Sequence, residues 1–226
     1  MSTMDFSKTF EYQWEGSVPL RSEASLADFV CSGASGFAEL KPDTKSIASL
    51  GSPNEKLKVL DFGCGFGRNL EGMPDKWEVV GYDNPNMLKR VPEYFAVRGS
   101  KSSMAELVSD WDALRERKFD AVLATLVFQH IPPVVLEAYL KDLQVMTPKL
   151  IVFGRCWNDA DNRISLWPIV EKYFSPTHPI VFKSLDDHVL AVFQSLVARK
   201  EEEAIAIAAA VPALVVESTK IGDKGK

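Results

Sequence analysis

The sequence predicts an α/β fold: a doubly wound, mostly parallel seven-stranded sheet with helices on both faces and an antiparallel hairpin at its C-terminal edge. Three observations carry this. Between residues 57 and 155, short and almost wholly apolar runs alternate with helical segments; strands apolar on both faces belong to a parallel sheet covered on both sides. The first of these runs is closed by a glycine-rich turn. Beyond the last crossover, residues 179–196 read as two strands around a turn at Asp186–Asp187, which suits an edge hairpin.

Each element follows from local chemistry. Residues 1 to 25 are polar with interspersed aromatics, and a short helix is predicted around Leu26 to Cys31. The stretch from 41 to 56 reads mostly as loop with a brief helical turn. Leu57–Phe62 is the first buried strand. Arg68–Met73 is a short helix that Pro74 stops, and Trp77–Asp83 is the second strand. A helical stretch over 86–95 is interrupted at Pro92. Ala105–Asp110 and Phe119–Phe128 are the third and fourth strands. Pro133 to Met146 carries apolar residues at 135, 136, 139, 140, 143 and 146, the stripe of an amphipathic helix opened by proline. Lys149–Arg155 is the fifth strand, and residues 163–174 look helical.

Composition bounds the function. The 226 residues are 46% hydrophobic and 25% charged, an ordinary globular balance that needs neither disulfide nor metal to fold. Lys and Arg number 26 against 31 Asp and Glu, a net charge of −5, so the counterion-displacing surplus of a nucleic-acid binder is missing. Cys31, Cys64 and Cys156 are dispersed without metal-ligand spacing, which points to a reducing compartment and no zinc site. No basic-then-apolar leader opens the sequence, and its longest apolar run, Ala204 to Val216, is short and broken by Pro212. A cytoplasmic protein without membrane contact is expected. Three units are expected: a cap or lid over residues 1–54, a nucleotide-binding domain over 55–200, and a tail over 201–226.

The chemistry concentrates after the first strand. Asp61-Phe62-Gly63-Cys64-Gly65-Phe66-Gly67-Arg68 places three alternate glycines between a strand and a helix, where the backbone bends sharply and approaches a ligand. A tightly packed turn is the simpler explanation. A dinucleotide fingerprint would put a small residue at position 68, where this chain has Arg68, and no Gly-Lys-Ser/Thr of a phosphate loop follows. Asp83 ends the second strand, and a carboxylate there either accepts both hydroxyls of a ribose or caps the next helix.

The DFGCGFG run resembles motif I of the class I S-adenosylmethionine-dependent methyltransferases, and the likeness extends over roughly residues 55 to 195. It implies that the turn at Gly63, Cys64, Gly65 and Gly67 passes under the amino-acid end of S-adenosylmethionine, and that Asp61 helps to hold the cofactor's ammonium. Asp83 is then the ribose acid. Asn84 and Met87 are candidates for packing on adenine, in a segment one residue shorter than the family's. Asp110, with Asp112 as a rival, would accept from the adenine amino group, and Trp111 either lies against the ring or packs in the core.

Residues 119–132 are similar to the family's FDxVxxxxVLxHI element, with Ala124 and Thr125 at the rim of the transfer site. His130 is then either a base for the acceptor's proton, work suited to an imidazole of pKa about 6.5, or a residue that orders the loop. Phe10, Tyr12 and Trp14 resemble an aromatic element that folds over the cofactor or anchors the N-terminus. The family's Asn/Asp-Pro-Pro-Tyr/Phe quartet for amino methylation is missing at this strand end.

The implied activity is methyl transfer to a small or medium-sized acceptor, with oxygen favoured. Non-catalytic cofactor binding, a nicotinamide oxidoreductase, and a protein or RNA methyltransferase are the alternatives.

Overall fold

The computed structural model describes residues 42–98, 105–155, 165–180 and 188–202. The Leu26–Cys31 helix, the Phe10–Trp14 element, the turn at Asp186–Asp187 and the tail beyond residue 202 lie outside the described residues.

One sheet of seven strands organises them: β1 (Lys58–Phe62), β2 (Glu78–Tyr82), β3 (Glu106–Val108), β4 (Ala121–Thr125), β5 (Lys149–Arg155), β6 (Phe174–Ile180) and β7 (His188–Ser195), in the spatial order 3-2-1-4-5-7-6. Strands β1 to β5 are parallel, while β7 runs antiparallel between β5 and β6. Strand order therefore reverses between β1 and β4. That reversal opens a crevice at the carboxyl ends of the strands, where open α/β sheets bind ligands.

The helices are α1 (Thr44–Leu50), α2 (Pro85–Leu88), α3 (Val91–Arg98), α4 (Trp111–Leu114), α5 (Pro133–Met146), α6 (Trp167–Val170) and α7 (196–202). Two apolar layers clothe the sheet. One lies under α5, where Leu136, Leu140 and Leu143 meet Leu60, Val122 and Leu150. The other gathers Ile47 and Leu50 of α1 with Val59, Leu70, Leu123 and Ile151. Fully burying such a side chain stabilises by about 1.5–3 kcal/mol, which is why β4, buried at every position, forms a strand without any alternation.

Several boundaries differ from the expectation, each for a physical reason. Residues 44–50, expected mostly as loop, form α1: Asp43 caps it by accepting from the Ser46 N–H at 3.1 Å, and Ile47 and Leu50 bury one face. The expected helix over 68–73 is only a 3₁₀ turn, Leu70–Gly72, ending ahead of Pro74. The fourth strand stops at Thr125 rather than Phe128, because Leu126 takes φ 59° and Val127 is already helical. Helix α6 is confined to four residues because β6 starts at Phe174, ahead of the hairpin expected from residue 179. That edge strand contains Pro176 and Pro179 and shifts register between Pro176 and His178.

Candidate active site

The glycine turn is built by backbone geometry. Gly63, Gly65 and Gly67 adopt φ of 75°, 56° and 87°, the left-handed region that side chains disfavour. Gly63 and Cys64 both donate to the Tyr82 carbonyl, at 2.8 and 3.0 Å, which ties the turn to the end of β2. A Cβ on Gly63 would stand 2.3 Å from Val127 Cγ2, so this glycine lets the turn meet the chain leaving β4. Gly65 differs. Within 4 Å its Cβ would meet only Met87 Cε, at 3.7 Å, so this part of the turn is an open cradle.

Asp61 lies directly below. It is 1% exposed, and neither carboxylate oxygen has a hydrogen-bond partner. Burial pushes its pKa up to about 7; Arg68 pulls it down, Asp83 pushes it further up, and the neighbouring Asn69 side-chain amide pulls it down. The Thr125 hydroxyl, at the end of β4, is also buried without a partner. Among the described residues these are the buried side-chain oxygens left unpaired. Buried polar groups are nearly always bonded, so an exception requires an account.

Asp83 closes β2 and spans the cleft. Its carboxylate accepts from the Gly65 N–H at 2.7 Å, the Asn84 N–H at 2.7 Å and the Asn84 side-chain amide at 3.1 Å. Burial raises its pKa to about 6 against the pull of the two backbone donors. Cys64 is a buried free thiol whose pKa is pushed well up by desolvation and then by Asp83 and Asp61, so it is inert as a nucleophile.

Other candidates are engaged locally. The Asn84 side chain caps α2, accepting from the Asn86 and Met87 N–H groups at 3.0 Å. Asp110 is exposed and caps α4 through the Asp112 N–H at 3.0 Å, while Asp112 pairs with Arg115. Trp111 is a packing residue: its indole donates to Asp142 at 2.8 Å, and its ring meets Phe62, Tyr82 and Tyr139 at 5.6, 5.1 and 4.8 Å. Ala124 is wholly buried in the α5-side core, and Thr125, next along β4, faces the opposite side of the sheet. His130 ends the 3₁₀ turn Phe128–His130, with Nε2 3.2 Å from the Gln129 amide nitrogen.

The structure thus brings Asp61, the glycine turn, Asp83 and Met87 together, and Thr125, expected at the rim of the transfer site, ends β4. Two carboxyls and open backbone at a switch crevice suit a cationic nucleoside.

Comparison with known proteins agrees. Residues 59–148, from β1 into the turn before β5, match the family described as a methyltransferase domain. The fold is similar to the N-methyltransferase NodS of Bradyrhizobium japonicum in complex with S-adenosyl-L-homocysteine, at 12% identity and TM-score 0.54 over 85% of this chain and 99% of that one. It is also similar to the PH0226 protein of Pyrococcus horikoshii (19% identity, TM-score 0.50, covering 62% of this chain and 82% of that one). The methyltransferase domain of bacterial CtHen1-CN gives 19% identity and TM-score 0.50, over 67% and 96% of the two chains. Likeness at these identities bears on the fold. No curated protein matches the sequence.

Residues 59–148 thus carry a methyltransferase domain of the S-adenosylmethionine-dependent kind, set in a Rossmann-like sheet. The chain is an enzyme of that kind, and S-adenosylmethionine is its cofactor. The residues present fit that molecule: an unpaired buried carboxylate for a cationic end, and a turn whose face a single Cβ would fill.

Proposed function

We propose that this methyltransferase acts on an oxygen atom of a small or medium-sized acceptor. The cofactor, when bound, supplies a methyl group already activated for displacement, so the protein's contribution is positioning and exclusion of water. Asp61 would hold the ammonium, Asp83 the ribose hydroxyls, and Gly63, Cys64, Gly65 and Gly67 the backbone wall between them. Asn84, Met87, Asp110 and Trp111 stand on the adenine side, with Ala124 backing the end of β4.

The unpaired Asp61 carboxylate beneath the glycine turn is the observation that carries this reading. His130, five residues beyond Thr125, would take the proton of a hydroxyl acceptor at an imidazole nitrogen. The missing Pro-Pro quartet at the end of β4 supports oxygen over amide or base nitrogen. No helix among the described residues is long and apolar enough to cross a membrane, and dispersed cysteines support a cytoplasmic setting.

The test is transfer of labelled methyl from S-adenosylmethionine to a panel of small carboxylates, phenols and sugars, beside amines, RNA and protein. Label found on amine, RNA or protein alone overturns the oxygen acceptor.

A further inference from the structure

The buried amide of Gln129 has no part in the reading above. Gln129 is 6% exposed and lies in the 3₁₀ turn Phe128–His130 that follows β4. Room for it comes from β5. A Cβ on Gly154 would stand 3.0 Å from Gln129 Oε1 and 3.6 Å from Leu126 Cα. Glycine weakens a strand interior and marks a place where other chain approaches closely. Here the approaching groups are Leu126, at φ 59°, and the Gln129 side chain.

The amide nitrogen of Gln129 lies 3.2 Å from His130 Nε2. An amide nitrogen offers hydrogens and no lone pair, so it donates and the ring nitrogen accepts. The neutral ring therefore carries its proton on Nδ1, and the lone pair with which His130 could act as a base is already engaged. Asp61 and Asp83 are given to the cofactor in the reading above, and Cys64 is inert. A hydroxyl acceptor must shed a proton as its oxygen is methylated. A carboxylate arrives ionised, since carboxylic acids lose their proton at about pH 4 and phenols only at about 10.

We propose that Gln129 is a positioning residue that sets acceptor specificity: by holding the Nε2 lone pair of His130, it confines the enzyme to acceptors whose oxygen is already anionic, small carboxylates. This rests on the oxygen-acceptor reading above. The carboxylate oxygen bonds to the methyl carbon as the carbon–sulfur bond breaks and its electron pair stays on sulfur. A methyl ester and S-adenosylhomocysteine result, and no proton has to be taken up. A phenol or sugar must first displace the Gln129 N–H from Nε2, at the cost of a buried donor stripped of its acceptor.

The experiment has two arms. The first is nitrogen NMR of the labelled, ligand-free protein at about pH 8.5, where an ordinary imidazole is neutral. The chain has three histidines, and the His130 signals are those lost in His130→Asn. Wild type should carry the ring proton on Nδ1, and Gln129→Met, similar in length but unable to donate, should shift it towards Nε2. A wild-type ring protonated on Nε2 overturns the proposal. The second arm offers labelled S-adenosylmethionine with benzoate, succinate and citrate, beside phenol, catechol, glucose and small amines. Mild alkali releases label from methyl esters as methanol but leaves ethers intact. Wild type should give alkali-labile label on a carboxylate, and Gln129→Met should raise the phenol-to-benzoate ratio at least about tenfold. An unchanged ratio in a folded Gln129→Met, or a wild type that labels no carboxylate, overturns the proposal. Stable label on phenol or sugar leaves the oxygen reading standing, whereas label on amines alone removes both.

Discussion

At the scale of single residues, two glycines of the same turn make the sharpest contrast. Gly63 is closed in by Val127 while Gly65 faces open space, although both sit at positive φ. Gly63→Ala combines left-handed strain with a Cβ 2.3 Å from Val127 Cγ2, and should destabilise the fold by at least about 3 kcal/mol in a denaturant melt. Gly65→Ala carries strain alone, about 1–2 kcal/mol. Its methyl group fills the open cradle, so affinity for S-adenosylhomocysteine should fall far more than stability. A Gly65→Ala protein with full affinity would remove the turn from the site. The glycine run was legible in the sequence because its spacing is unusual. The division of labour within it was not, since it depends on Val127, 64 positions away in the chain.

At the scale of elements, the turn after the glycines is held by α3. The buried Tyr94 hydroxyl donates to Glu71 at 2.7 Å, and Arg98 reaches the same carboxylate at 3.2 Å, while Val91 and Phe95 close on Gly67. Tyr94→Phe removes a hydrogen bond to a charged acceptor and should lower stability by about 1.5–3 kcal/mol. An unchanged denaturation midpoint would show that Arg98 alone holds Glu71. Elements with strong periodicity were legible: α5 and β5 run over Pro133–Met146 and Lys149–Arg155, as their patterns predict. Weakly patterned ones were not. α1 puts only two apolar residues, Ile47 and Leu50, on its buried face beside Ser46, a signal too short to read. β6 contains two prolines, which argue against a strand in general but are tolerated at an edge, where a missing N–H goes unpunished. β4 ends early because of the turn at Leu126, a conformation no propensity foretells.

At the scale of the whole molecule, the cleft couples protonation, folding and ligand. Asp61 has an ordinary pKa in the unfolded chain and one of about 7 in the folded protein. The folded state therefore holds the proton more tightly. The resulting stability is fully present below the unfolded value, declines as pH rises, and is gone above about 7. Raising the pH from about 5.5 to 7.5 should cost the ligand-free protein about 2 kcal/mol through this group. Asp61→Asn should lack that slope and be the more stable form at neutral pH. A cationic ligand prefers the ionised carboxylate, so wild-type affinity for S-adenosylhomocysteine should weaken as pH falls below 7, with proton release on binding in calorimetry. Parallel pH profiles for wild type and Asp61→Asn would assign the titration elsewhere. Saturation at about a hundred times Kd should add about 2.7 kcal/mol of stability.

The two rims of the sheet are unlike each other but share an outcome. β3 is three residues long, and β6 interrupts its outer ladder with Pro176 and Pro179 and a slipped register. Neither rim presents the long, flat row of free amides that recruits a foreign strand. Among the described residues, the edges of the sheet thus make a poor template for amyloid-like stacking, even though its middle strands are nearly pure hydrocarbon.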